Sequence, residues 1–130
     1  MAIDQTSPAA ANAIGHAEAW SNHDWDTARA NLAPDVHVSA TSTQKLMPVT
    51  DTTGADEYME GLIRFASAIE PGSAKIIASV GDADTSLILL TVKGVFGPGG
   101  PKTLAGARLA NWDENQKLKD EQVVYFVLPD

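Results

Sequence analysis

The stretch His16-Ala17-Glu18-Ala19-Trp20-Ser21-Asn22-His23-Asp24-Trp25-Asp26-Thr27-Ala28-Arg29-Ala30-Asn31-Leu32-Ala33-Pro34-Asp35-Val36-His37-Val38 decides the architecture. Its first part continues an apolar stripe of Ala10, Ala13, Ile14, Ala17 and Trp20, at the i, i+3, i+4, i+7 spacing of a helix. Asn22-His23 breaks the stripe. Asp24 is placed to cap a second short helix that turns Trp25, Ala28 and Leu32 inward. Ala33-Pro34-Asp35 ends that helix, and Val36 to Ala40 alternates as a strand.

Upstream, Ser7-Pro8 starts the first helix, a hydroxyl cap followed by proline at the first helical position. Gly15 inside it costs about 1 kcal/mol of propensity. Downstream, Thr41 to Thr53 is polar and turn-rich, a short strand or a lip. Gly54 precedes a third helix with Met59, Leu62, Ile63, Ala66 and Ile69 on one face, stopped at Pro71-Gly72. Strands follow near 74–81, 86–96, 103–112 and 118–128. Their turns are Gly81-Asp82-Ala83-Asp84, Gly97-Pro98-Gly99-Gly100-Pro101 and Asp113-Glu114-Asn115-Gln116. Such short links make an antiparallel meander. Helices first and sheet second define an α+β class, with three helices on one face of a strongly curved antiparallel sheet.

The chain has 130 residues, 44% of them apolar, which fits one domain (1–130) with a real core. A net charge of −8 disfavours nucleic acid and anionic membranes as partners. With no cysteine there is no disulfide framework and no thiolate chemistry. No apolar run is long enough to span a bilayer, and Met1 to Ser7 lack the basic and apolar regions of a signal peptide. The expected location is the cytoplasm.

The element order resembles that of the NTF2-like superfamily, which includes ketosteroid isomerases, limonene-epoxide hydrolases, SnoaL-like polyketide cyclases and non-catalytic transport modules. The residues that carry the resemblance are Trp20 to Asp35, the Gly54-led helix, and Trp112-Asp113-Glu114-Asn115-Gln116-Lys117-Leu118 leading to Val123-Val124-Tyr125-Phe126. The resemblance implies a cone-shaped domain with a pocket between the helices and the concave sheet face, and a dimer through the convex face. It implies no cofactor.

The chemistries of that superfamily can be tested position by position. A ketosteroid isomerase carries a tyrosine donor on its first helix, and the matching position here is His16. Its carboxylate base matches Ala40, and its second donor, an acid, falls near Ala105. The epoxide hydrolases place an Arg and an Asp at positions matching Val92 and Gly94. Their second Asp matches Val123 or Val124, which is also where the cyclases carry their acid. Only His16 keeps a polar group, and fold analogy by itself assigns no reaction.

The expected concave face is therefore apolar: Val38, Ala40, Leu62, Ile88, Leu90, Val92, Ala105, Ala107, Leu109, Val123 and Tyr125. Such walls describe a small-molecule pocket or a closed core. The expected ligand-binding residues are Trp20, Val38, Ala40, Met59, Leu62, Val92, Ala105, Val123 and Tyr125. His16 is the first catalytic candidate, as acid, base or donor; the plainer reading is a helix histidine bonded to a carbonyl or water. Glu121 shares parity with Val123 and Tyr125 and is the second candidate, either a base at the pocket mouth or a strand-end charge in water.

His37 should point away from the cone, and His23 should be solvated in the interhelix break. Three histidines without close ligand spacing give no metal site. Arg108 has the parity of Leu104, Gly106, Ala110 and Trp112, the expected convex face, so it reads with Lys93 as a homodimer contact. A one-residue slip would turn it into the pocket as an anion clamp. Asp51, Asp56 and Glu57 suit the dipole at the start of the third helix. Met47 and Met59 line the entrance or fill the core. The Gly97 to Pro101 turn does not precede a helix and is not a phosphate loop.

Two functions remain. One is an isomerase, cyclase or hydrolase of a small apolar polyketide-, terpenoid- or steroid-like substrate. The other is a non-catalytic small-molecule-binding or dimerisation module.

Overall fold

The computed structural model describes residues 7–42, 50–96 and 99–128. Ser7 caps the first helix, its Oγ accepting from the Ala10 amide at 3.3 Å, with Pro8 at the first position. The helix α1 (Pro8–Ser21) is followed by α2 (Trp25–Ala30), capped by Asp24, whose carboxylate accepts from the Thr27 amide. Then come β1 (Leu32–Ser42), β2 (Thr50–Thr53), α3 (Ala55–Ser67), β3 (Lys75–Gly81), β4 (Thr85–Val95), β5 (Pro101–Trp112) and β6 (Leu118–Val127). Gly54 opens α3 at φ 106°, a conformation that favours glycine.

The short helix α2 stops sooner than its sequence indicates. Lys117 Nζ donates to the Ala30 carbonyl, and the Leu118 amide donates to the Asn31 carbonyl at 2.8 Å. Leu32 therefore already pairs with Leu118, and Leu32-Ala33-Pro34-Asp35 belong to β1. The ladder shifts register between Leu32 and His37, the irregular stretch that takes in Pro34.

The six strands form one unclosed sheet in the order β2-β1-β6-β5-β4-β3. The meander β3–β6 is antiparallel throughout, as its short turns require. The pairing of β1 with β6 is parallel, so the sheet is mixed. Helices α1 and α3 pack on one face of this sheet. Between helices and sheet lie Trp20, Val36, Leu62, Ile88, Leu90, Val92, Leu104 and Leu118, all buried.

The face assignment of β5 is the main correction. Leu104, Gly106, Arg108, Ala110 and Trp112 face the helices, while Leu109 on the opposite parity is 40% exposed. Trp112 Nε1 donates to the buried Ser86 Oγ at 3.0 Å. Arg108 is therefore no contact on the outer face, and Ala105, Ala107 and Leu109 do not face inward. Lys93 does lie exposed on the outer parity of β4. Met47, within 43–49, falls outside the described residues, as do two residues of the turn before Pro101.

Candidate functional site

The inner side of the sheet presents side chains in rows set by register. Val38 lies opposite Glu121, which lies opposite Ala110. In the next row Ala40, Val123, Arg108 and Ile88 are successive partners. In the row beyond, Tyr125 stands opposite Gly106 and Gly106 opposite Leu90. Glycine is required at 106, because a Cβ there would lie 2.7 Å from the Tyr125 ring. Arg108 and Glu121 are thus diagonal neighbours on adjacent strands, close enough for long side chains to meet.

They meet in an ion pair. Arg108 Nη2 donates to Glu121 Oε1 at 3.3 Å, with both side chains more than nine-tenths buried. The guanidinium lies over the Trp20 ring, with Cζ 4.8 Å from its centroid, a cation–π contact. Burial works against the charge of Arg108. The Glu121 carboxylate and the Tyr125 and Tyr58 side chains outweigh it and hold the pKa above the ordinary guanidinium value.

The helices complete the network. Tyr58 on α3 donates its hydroxyl to Glu121 Oε1 at 2.8 Å. His16 on α1 brings Nε2 to 3.0 Å of the same hydroxyl, and Asn31 Nδ2 lies 3.3 Å from His16 Nδ1. Burial pushes the His16 pKa from 6.5 down to about 4; Glu121 opposes that shift and Arg108 adds to it. The imidazole is therefore neutral at pH 7, with one donor and one acceptor nitrogen. Tyr58 has a single proton, which goes to Glu121, so its oxygen must accept from His16. That fixes the proton on Nε2, leaving Nδ1 to accept from Asn31. Burial first, then Glu121, raises the Tyr58 pKa well above its usual value, with Arg108 acting against them. Asn31, His16 and Tyr58 thus donate in sequence toward Glu121, whose Oε1 also accepts from Arg108 on its other side.

Against this path opens a cavity of about 400 Å³. Its walls are apolar: Val38 and Ala40 from β1, Leu62 and Phe65 from α3, Val123 from β6, and Phe96. Tyr58, Arg108 and Tyr125 are the buried polar residues among its lining. The Tyr125 ring lies against Phe65, with centroids 4.6 Å apart. Its hydroxyl is pushed up to about 12 by burial, with Arg108 opposing and Glu121 assisting. Glu57, Glu60 and Arg64 are exposed at the rim, and Thr50 and Thr52 of β2 border it.

Of the residues singled out from sequence, the structure brings Val38, Ala40, Leu62, Val123 and Tyr125 to the cavity wall. Trp20 lies under the guanidinium rather than on the wall. Met59 and Val92 are buried in the core away from the wall, and Ala105 is on the outer parity. His16 and Glu121 are joined through Tyr58. Neither His16 nor Glu121 is on the wall, so Tyr58 and Arg108 stand between them and the cavity. Glu121 is 3% exposed, a buried ion-pair member and not a solvated strand end.

Sequence reasoning passed over Tyr58. The available signal was its place four residues before Leu62, on the same helical stripe. Ile63, expected on that stripe, is instead 37% exposed. His23, expected in solvent, has its ring Nε2 2.9 Å from the Ala66 carbonyl and stacks on Trp25. His37 points outward, with its ring nitrogens 2.7 Å from Asp51 and 2.8 Å from Asp120. Hydrogen bonds donated first to Asp120 and then to Asp51 raise its pKa.

At the positions where the resemblance places acids, Ala40 and Val123 are wall residues and Val124 faces outward, and Val92, at the position of the hydrolases' Arg, is core. Gly94 has no room for any side chain, since a Cβ there would collide with the Ala68 carbonyl. Among the described residues, no group of three or more histidine, cysteine or acidic side chains is arranged to hold a metal ion.

Comparison with known proteins agrees with this architecture. The family model of the SnoaL-like domain matches residues 13–124, and the chain belongs to that family. Its fold is that of the NTF2-like superfamily. Among solved structures, one neighbour is a Mycobacterium tuberculosis protein in complex with estradiol-17beta-hemisuccinate. Its TM-score is 0.74 and identity 14%, over 91% of this chain and 93% of that one. A second is an LEH-like epoxide hydrolase of M. tuberculosis, with TM-score 0.69 and 18% identity, over 94% of this chain and 85% of that one. A third is a steroid delta-isomerase from Pseudomonas aeruginosa, with TM-score 0.68 and 15% identity, over 95% and 83%. At these identities the likeness is one of fold. Among curated proteins, none matches the chain in sequence. Among the described residues, no helix is long and apolar enough to cross a membrane.

Proposed function

We propose that this chain is a cytoplasmic enzyme of the isomerase, cyclase or hydrolase kind that moves a proton on a small apolar substrate held in the cavity. The observation that supports it is the hydrogen-bond network in which His16 donates to Tyr58, and Tyr58 and Arg108 both donate to Glu121, beside an apolar cavity wall. A buried ion pair is weak as a stabilising device, so one placed beside a cavity is a functional candidate. Tyr58 reaches the substrate. Its oxygen takes a proton from the substrate as its own proton passes to Glu121, and the reverse transfer returns one. Glu121 is thus the proton acceptor, working through Tyr58. His16 acts as a positioning residue, because both its nitrogens are engaged and it is neutral. Substrate binding comes mainly from apolar burial, at roughly 25 cal/mol per Å².

The apolar residues at Ala40, Val92, Gly94 and Val123 favour a second reading, a binding module that performs no chemistry. Deuterium exchange separates the two. The protein is incubated in D2O with a panel of polyketide-, terpenoid- and steroid-like compounds, and mass spectrometry reads deuterium on carbon. Incorporation in the native chain, lost in Tyr58→Phe and Glu121→Gln, supports the enzyme. Compounds that bind without exchange or turnover leave the binding module.

A further inference from the structure

The helix α3 carries a glycine in its interior where the packing of the fold calls for none. Gly61 lies midway along Ala55–Ser67. Glycine there weakens a helix relative to alanine, because its backbone gives up more freedom on folding. A left-handed backbone or a close approach of neighbours would account for it. Neither holds at 61: its φ is not positive, and a Cβ built on it meets no atom within 4 Å. At Gly94 and Gly106 the same Cβ runs into a neighbour.

The free space belongs to the cavity. Tyr58, Gly61, Phe65 and Ala68 recur at three- and four-residue spacing on one face of α3, and all four line the cavity. Gly61 is also exposed, so it stands where the cavity meets solvent. A side chain at 61 would lean back toward Tyr58, over the turn that precedes it. The strand side of the cavity is edged by Ala40, Thr50 and Thr52, which are small as well. Gly15 in α1 is exposed and equally free of neighbours, but it is not on the cavity wall.

We propose that Gly61 is a specificity-determining residue. Its missing side chain sets the width of the cavity mouth and admits a ligand broader than a single extended chain. Helix stability is given up for access, a conflict between stability and function of a familiar kind. This rests on the cavity being the ligand site of the proposed function, and it names what selects the ligand there.

Two ketones of twelve carbons test it by calorimetry: 2-acetylnaphthalene, which is broad and flat, and 2-dodecanone, which is a slender chain. Gly15→Ala and Gly61→Ala should each raise the melting temperature, by about 2–5 °C. Only substitution at 61 should weaken 2-acetylnaphthalene, by a few-fold in Gly61→Ala and by at least about tenfold in Gly61→Leu. Binding of 2-dodecanone should stay within about threefold of native in all three variants. Native-like binding of 2-acetylnaphthalene by Gly61→Leu overturns the proposal. Equal loss of both ketones overturns selection by width, and so does an equal loss in Gly15→Ala. A lower melting temperature for Gly61→Ala overturns it too, since the fold itself would then need the glycine. Because binding is read and not turnover, these outcomes are separate from the fate of the proton transfer. Failure of the native chain to bind either ketone removes the cavity as a ligand site, and the role of Gly61 with it.

Discussion

His16 gives the molecule a pH dependence with a definite sign. Its pKa is 6.5 when free and about 4 in the fold, chiefly because of burial. Between those values the unfolded chain takes up a proton that the folded chain refuses, so stability falls as pH drops through that window. The shift corresponds to something on the order of 3 kcal/mol. Denaturant titrations at pH 7 and pH 4.5 on the native chain and His16→Asn should show a smaller loss in the variant. Equal losses would mean that His16 is not held neutral. His37 runs the other way: its contribution is complete below pH 6.5 and is lost as pH rises through its raised folded value. At this scale the sequence was partly legible. Parity on β6 turns Glu121 inward, and helical phase does the same for His16. Parity on β5 separates Arg108 from Ala105 but does not say which set faces in, because Ala105, Ala107 and Leu109 are as apolar as Leu104, Gly106 and Ala110. The deciding fact is a partner for the guanidinium, and Glu121 lies on another strand.

Among the elements, the segment that follows α3 is tied directly to β4. The Val95 amide donates to the Ala68 carbonyl at 3.0 Å, and Glu70 donates to the Lys93 carbonyl at 2.8 Å. Gly94 sits between these bonds, and a Cβ there would also lie 2.9 Å from the Phe96 ring. Gly94→Ala should therefore destabilise the protein by about 2 kcal/mol, as overpacking does, and should displace the cavity wall at Phe96. Gly15→Ala meets nothing within 4 Å, so it should stabilise α1 by roughly 0.5–1 kcal/mol. Thermal unfolding of the two variants checks both signs; a neutral Gly94→Ala would show that the helix end can retreat. The elements were more legible than the residues. Turn chemistry and alternation place β3 to β6 within about two residues, and the Ser7-Pro8 and Asp24 caps place the helix starts. What local patterning does not carry is the partner of β1. Short-link reasoning pairs strands that are neighbours in sequence, and β6 is its neighbour only in space.

For the whole molecule, the outer sheet face is unusually apolar. Val80, Leu87 and Leu109 are successive cross-strand partners and are 46%, 43% and 40% exposed. Val124, on the outer parity of β6, extends the patch. An exposed apolar surface of this kind is typical of an interface, and a homodimer through it is our proposal. Sedimentation at micromolar concentration should show a dimer for the native chain and a monomer for Leu109→Glu with unchanged circular dichroism. A monomeric native chain would dismiss the dimer. The parallel pairing of β1 with β6 carries a further consequence, in the order of assembly. His37 and Asp120, which meet across that pair, are 83 residues apart. At a synthesis rate of roughly 5–20 residues per second, β1 emerges several seconds before its inner neighbour exists. Through that wait its inner edge is an unfilled template, and contacts this distant in sequence are slow to form. Glu121 arrives on the same late strand. Until it does, Arg108 has no counter-charge and Tyr58 no acceptor, so the chemistry of the cavity and the joining of β1 to the rest of the sheet are completed in one event once β6 has emerged.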